Sequence, residues 1–181
     1  MIFTPTPLAD AFVVGLEPHA DERGCFARAF CAKEFAEQGL VTEYVQANLS
    51  TNTQAGTVRG MHYQRHPHAE VKLVRCVVGI IYDVIVDLRQ DSPTYLQWFG
   101  AELSQENGLM MYVPQGFAHG YQALTAGATA HYMVSAYYAP DAEGGLRYDD
   151  PALNINWPIP VTDVSPKDAR WPLVDRVSGS R

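Results

Sequence analysis

The stretch Arg59-Gly60-Met61-His62-Tyr63-Gln64-Arg65-His66-Pro67-His68-Ala69-Glu70-Val71-Lys72-Leu73-Val74-Arg75-Cys76-Val77-Val78-Gly79 decides how the chain is read. Its second half, Val71 to Val78, is a run rich in β-branched residues that meets another, Ile80 to Arg89, near Gly79. That is the pattern of two neighbouring strands joined by a tight turn. The first half gathers His62, His66 and His68, and Lys72 follows on the strand. Clustered histidines point to a metal site, but Lys72 argues against one. An ammonium placed among them repels a divalent cation and has no lone pair to offer while protonated.

Working outward, 181 residues with 47% hydrophobic content suffice for one compact domain over residues 1–181 with a substantial core. There is no run of about 18 apolar residues and no basic start followed by a hydrophobic stretch, so neither a membrane span nor a secretory signal is expected. Cys25, Cys31 and Cys76 form no paired zinc or redox spacing and read as ordinary thiols. These features predict a cytoplasmic protein with no membrane partner. A net charge of −7 excludes a general nucleic-acid surface, which needs a basic stripe. An anionic ligand would require a local basic pocket.

Strand signals dominate the rest of the chain. Met1 to Leu16 holds one or two short strands, and Cys25 to Phe30 follows a period of two that sets Phe26 and Phe30 on one face. Ala32 to Gln38 is the one convincing helix, with Phe35 as its apolar anchor and Gly39 as its stop. Tyr44 to Ser50 alternates Val45, Ala47 and Leu49 with Tyr44, Gln46, Asn48 and Ser50, and an isolated antiparallel strand of this kind wets its polar face. Further strands are expected at Trp98 to Leu103, Leu109 to Val113, Gly120 to Leu124 and Ala128 to Tyr138. Turn signals separate them at Asp91-Ser92-Pro93, Asn107-Gly108 and Pro114-Gln115-Gly116. About ten strands with so little helix indicate an all-β antiparallel sandwich or jelly roll. The proline-rich tail from Asp149 is expected to wrap over it as irregular structure and short helical turns.

Two motifs refine this fold. Gly60, His66, His68, position 72 and Gly79 keep the spacing of the first cupin motif, with Lys72 where the metal-binding glutamate belongs. Pro114-Gln115-Gly116-Phe117-Ala118-His119 resembles the second. The pair implies a cupin jelly-roll barrel with one or two short helices, and brings His119 near the opening stretch.

The resemblance then becomes specific. Gly56 to Gln64, Lys72 to Cys76, Asp83-Val84-Ile85-Val86-Asp87-Leu88-Arg89, Pro114 to Gly120, Tyr137-Tyr138-Ala139-Pro140 and Ser165-Pro166-Lys167-Asp168 are similar, in order and spacing, to the dTDP-4-dehydrorhamnose 3,5-epimerase family. The resemblance implies a homodimeric enzyme, free of metal and cofactor, acting on a nucleotide diphosphate linked to a 4-keto-6-deoxyhexose. Epimerisation beside a ketone needs a base for the α-proton, stabilisation of the enolate oxygen, and an acid on the far face. His62 matches the family base, a role suited to imidazole near neutral pH. Asp168 matches its carboxylate partner, Lys72 the cation that faces the sugar ketone, and Tyr132 the phenolic acid. Arg23, Arg59 and Lys167 resemble the phosphate-side contacts. The resemblance also turns Gln46 and Asn48 toward the pocket, offers Phe26 and Tyr138 as base- or sugar-side aromatics, adds His68 to the pocket, and gives His119 and Asp83 supporting parts.

Strand geometry adds one condition. Arg59 and His62 point to opposite faces of a regular strand, so both line one site only if Gly60 marks a bulge or bend.

One departure concerns the nucleotide. Arg28 stands where the family usually has glutamate, which raises a CDP-linked substrate as an alternative to a dTDP-linked one. Other readings are an epimerase acting at C3 or C5 alone, a metal-dependent cupin using His62, His66, His68 and His119, and a non-catalytic nucleotide-sugar binder.

Overall fold

A computed structural model describes residues 1–174; the expected domain end at residue 181 and the last stretch of the tail, 175–181, lie outside the described residues. The strands are β1 (Ile2–Pro5), β2 (Phe12–Gly15), β3 (His19–Asp21), β4 (Gly24–Phe26), β5 (Gln46–Thr51), β6 (Thr57–Gln64), β7 (Lys72–Val78), β8 (Ile80–Asp87), β9 (Trp98–Ser104), β10 (Met110–Val113), β11 (Phe117–Ala123), β12 (Thr129–Val134), β13 (Glu143–Gly145) and β14 (Asp163–Val164). A short helix, α1 (Ala32–Glu37), lies between β4 and β5. One sheet runs β1-β2-β10-β7-β12-β5; the other runs β13-β6-β11-β8-β9, with β14 added parallel to β6. Strands distant in sequence are neighbours in both sheets, which gives the jelly roll.

Three apolar layers hold the two sheets. Between them pack Val74, Cys76, Ile81, Ile85, Leu103, Met111, Val113 and Phe117. Outside the first sheet, Phe35 of α1 is fully buried on Val14, Leu73, Met110 and Tyr112, and its ring meets Phe3, Phe30 and Tyr112 at centroid distances of 5.2, 5.0 and 6.2 Å. Outside the second sheet, Leu146 and Leu153 cover Met61, Val84, Val86 and Ala118. Each large aliphatic side chain so buried stabilises the fold by roughly 1.5–3 kcal/mol. Cutting Phe35 to alanine is expected to cost about 3–5 kcal/mol, because it empties the anchor of the only α-helix among the described residues.

The core is apolar for most of its length and polar at one end. Along β7 the inward positions are Lys72, Val74 and Cys76, so the strand that fills the core also carries its cation to the mouth. The expected bulge is present. His62 pairs with His119 and Arg59 with Tyr121, three steps along β6 against two along β11. The extra residue sits at Gly60, whose φ of +126° favours glycine. A Cβ there would lie 2.5 Å from Gly120 Cα. Arg59 and His62 thereby share the inner face.

Several boundaries differ from the sequence reading. The β12 strand stops at Val134 rather than Tyr138, where Ser135 Oγ instead accepts the Val71 N–H. Phe26 and Phe30 do not share a face: β4 ends at Phe26, which is exposed, while Phe30 turns in to pack on Phe35. On β5 the apolar side is the wet one, with Leu49 69% exposed, because Gln46, Asn48 and Ser50 face the barrel mouth.

Candidate active site

Two adjoining cavities open at the polar end and share His62, Lys72 and Tyr132. The larger, about 460 Å³, extends toward Gln46, Asn48, Glu70, Tyr138 and Glu143. The smaller, about 260 Å³, extends toward Ser50, Arg59, His119, Lys167 and Asp168. His62 rises from one sheet and Tyr132 from the facing sheet, so a ring lying between them is reached from both sides.

The bulge also joins His62 to a carboxylate. His62 Nε2 lies 2.6 Å from Asp168 Oδ1, and the Gly60 N–H, turned by the irregular backbone, reaches Asp168 Oδ2 at 3.3 Å. Trp171 Nε1 donates to Oδ1 at 3.3 Å, and the Asp168 N–H donates to Ser165 Oγ. Burial on its own pushes the Asp168 carboxyl up, but the His62 hydrogen bond and charge, with the Gly60 N–H and Ser165, hold it below the usual carboxylate range. The carboxylate therefore stays charged and stabilises an imidazolium beside it.

Tyr132 has the complementary environment. Burial pushes its phenol up, Tyr121 and Glu70 add to the rise, and Arg59 opposes it. The hydroxyl stays protonated at neutral pH, as an acid requires. Lys72 Nζ lies 3.2 Å from Glu70 Oε1, both side chains nearly buried, and Gln64 Nε2 donates to Glu70 Oε2 at 3.2 Å. A fixed ammonium at the junction of the two cavities is well placed to stabilise developing negative charge.

The remaining residues named from the sequence fall into two groups. Gln46, Asn48, Arg59, His119, Tyr138 and Lys167 line one cavity or the other. Tyr138 does so from beyond the end of β12, held by its N–H on Gln46 Oε1 and its hydroxyl on Glu143, not by strand parity. Lys167 Nζ is held by both Glu143 oxygens at 2.6 and 2.5 Å. Asp83 is fully buried with Oδ1 2.7 Å from His119 Nε2.

His68, Arg23, Phe26 and Arg28 are not brought to these cavities. After Gln64 the chain leaves the strand, so His66 and His68 line a separate surface groove with Arg65 and Asp141; the four-histidine metal set does not converge. Arg23 is exposed and paired with Asp21 on the β3–β4 hairpin. Phe26 and Arg28 line a small cavity beside the amino terminus, where Arg28 pairs with Glu34 at 3.3 Å. Within the chain, Arg28 therefore has no place from which to select a nucleobase at the His62 site.

Sequence reasoning missed Glu70, Glu143, Gln64 and Trp171. Glu70 had a signal, since it shares parity with Lys72 just ahead of β7. Glu143 and Trp171 lie in irregular segments with no period to read.

A cupin-type jelly roll with a histidine–aspartate pair opposite a half-buried tyrosine, and a lysine between, is the constellation of an acid–base enzyme. The sequence profile of the dTDP-4-dehydrorhamnose 3,5-epimerases matches residues 5–176. A relative of that name from Sinorhizobium fredii is 44% identical over 173 residues, covering 95% of this chain and 89% of its own. The crystal structure of the dTDP-4-dehydrorhamnose 3,5-epimerase from Elizabethkingia anophelis superposes with a TM-score of 0.93 at 40% identity, over 96% of both chains. That of the Legionella pneumophila dTDP-6-deoxy-D-glucose-3,5-epimerase, in complex with dTDP-4-keto-L-rhamnose, superposes with a TM-score of 0.91 at 38% identity, over 97% of this chain and 94% of that one. The chain belongs to the dTDP-4-dehydrorhamnose 3,5-epimerase family.

Proposed function

We propose that this chain inverts C3 and C5 of dTDP-4-dehydro-6-deoxy-D-glucose, with His62 as base, Lys72 as enolate stabiliser and Tyr132 as acid. The observation that carries the assignment of roles is the placement of His62 and Tyr132 on facing sheets across one cavity. The C4 ketone makes the hydrogens at C3 and C5 acidic. His62 takes one of them, the C–H electron pair moves into the ring, and O4 becomes an enolate facing the Lys72 ammonium. Tyr132 returns a proton to the same carbon from the opposite side, which inverts it. Asp168 holds the imidazole by one nitrogen and stabilises it once it is charged. His119, positioned by Asp83, and Arg59 border the smaller cavity and take the diphosphate. Lys167 joins them once a phosphate competes with Glu143 for its ammonium.

We also read the protein as a cytoplasmic homodimer. The edge strand β5 exposes Ala47 and Leu49 on its outward side, with Val45 just ahead of it, a surface that proteins usually cover. Arg23, Phe26 and Arg28 stand outside their own chain's site. A second copy covers the first surface and gives the second group a ligand to meet. Light scattering that finds the mass of one chain at micromolar concentration would end this part of the reading.

Incubation with the 4-keto sugar in heavy water tests the chemistry. NMR should show deuterium entering at C3 and C5. Label at only one of them restricts the enzyme to that carbon, and label at neither in an active preparation excludes the mechanism.

A further inference from the structure

Resting on the reading of Arg59 as a phosphate ligand, we propose that Asn52 is its positioning residue and determines which edge of the guanidinium a diphosphate meets. Arg59 is exposed to the smaller cavity, where a long side chain would ordinarily sample many rotamers. Here its Nε–H donates to Asn52 Oδ1 at 2.8 Å and an Nη2–H to the Thr51 carbonyl at 3.3 Å. Those two hydrogens form one side of the planar fork, and the protein uses both. The end-on edge, one hydrogen from each Nη, is left to face a ligand, with the second Nη1 hydrogen beside it.

Asn52 can hold this geometry because it has no freedom of its own. It is 1% exposed. Its amide nitrogen donates to Tyr121 Oη at 3.2 Å and to the Ala128 carbonyl at 3.0 Å. Its main chain bonds Ala128 and Gly127. The Tyr121 hydroxyl passes its own hydrogen to Ser50 Oγ at 2.8 Å. Flipping the amide would set an NH2 group against the guanidinium and an oxygen against the Ala128 carbonyl, losing both of those bonds, so one orientation is fixed. The chain Ser50–Tyr121–Asn52–Arg59 runs from β5 to β11, back to the residue just after β5, and on to β6, tying the arginine to both sheets. A side chain ordered before binding loses less entropy on binding.

The test is calorimetric titration of the full chain with dTDP, for wild type, Asn52→Ala, Arg59→Ala and the double variant. Asn52→Ala should weaken dTDP about fivefold, and adding it to Arg59→Ala should change nothing further. In turnover, Asn52→Ala should raise KM with kcat within about twofold of wild type. Unchanged affinity in Asn52→Ala, or losses that add in the double variant, would overturn the positioning role while leaving Arg59 as a ligand. Unchanged affinity in Arg59→Ala removes the reading underneath. Should Asn52→Ala fail to fold, Tyr121→Phe deletes a single oxygen from the same network. Its expected result is dTDP binding weakened about twofold, with no loss in the Arg59→Ala background; equal losses in both backgrounds would overturn the proposal.

Discussion

Two histidine–aspartate pairs stand side by side on β6 and β11, and they differ in surroundings more than in bond length. His62 and Asp168 are 2.6 Å apart; His119 and Asp83, on the neighbouring strand position, are 2.7 Å apart. The His62 side chain is 32% exposed into the cavity and that of His119 only 9%. Asp168 receives hydrogen bonds on both oxygens, from His62 and Trp171 on one and from the Gly60 N–H on the other. Asp83 Oδ2 is buried with no hydrogen-bond partner among the described residues. A histidine that must collect a proton from carbon and pass it to solvent needs an open edge and a fully stabilised counter-charge. The first pair has both. The second has neither, and suits a ring held still to border a ligand.

That contrast can be broken most directly at the two rings. His62→Ala should reduce deuterium exchange into the keto sugar by roughly 10³-fold or more, whereas His119→Ala should mainly raise KM; equal losses of kcat would erase the distinction. Lys72→Ala should slow exchange about 10²–10³-fold, as loss of a charge that faces the enolate requires, and a loss confined to KM would move it to ground-state binding. Tyr132→Phe separates the two proton transfers: exchange by His62 should continue while inversion, followed by the sugar's coupling constants, falls about 100-fold. At the carboxylates, Asp168→Asn should cost about 10–100-fold in kcat and Asp83→Asn only a few-fold.

The mildest consequence is in acid. The Asp168 carboxyl is depressed, so its contribution to stability is present above the unfolded value near 4 and is lost as pH falls through its lower folded value. Asp87 behaves alike. Burial pushes it up, but Arg89, Ser92 and Thr94 overcome that and hold it at about 2. Melting temperature should drop between pH 4 and 2 in wild type, and less steeply in Asp87→Asn.

How much of this could be read in the chain depends on whether a residue sits on a regular strand. The jelly roll follows from alternation and turn chemistry, and Lys72 and Tyr132 lie on strands whose parity fits the faces that the resemblance gives them, whereas Gln46 and Asn48 turn inward by the resemblance alone. The bulge is legible because Arg59 and His62 cannot otherwise share a face. Past Gln64 and Val134 parity ends, so His68, which the resemblance puts in the pocket, faces a separate surface groove, and Tyr138 reaches its cavity by another route. Glu143 and Trp171 come from irregular segments, where only tertiary contacts set direction. The exposed face of Leu49 had the right alternation and the wrong side, because a barrel mouth inverts the usual rule that polar residues meet bulk water.

At the crossing of β6 and β11, Gly60 and Gly120 pack backbone to backbone. A Cβ on Gly120 would fall 2.6 Å from Met61 Sδ and 2.7 Å from the Arg59 carbonyl. For a directed-evolution campaign this sets a practical boundary. Saturating either glycine would spend most of a library on clones that misplace His62 and Arg59 together. Gln46 and Asn48, on an edge strand with one neighbour, are the codons at which the lining of the larger cavity can be randomised with least disturbance to the fold.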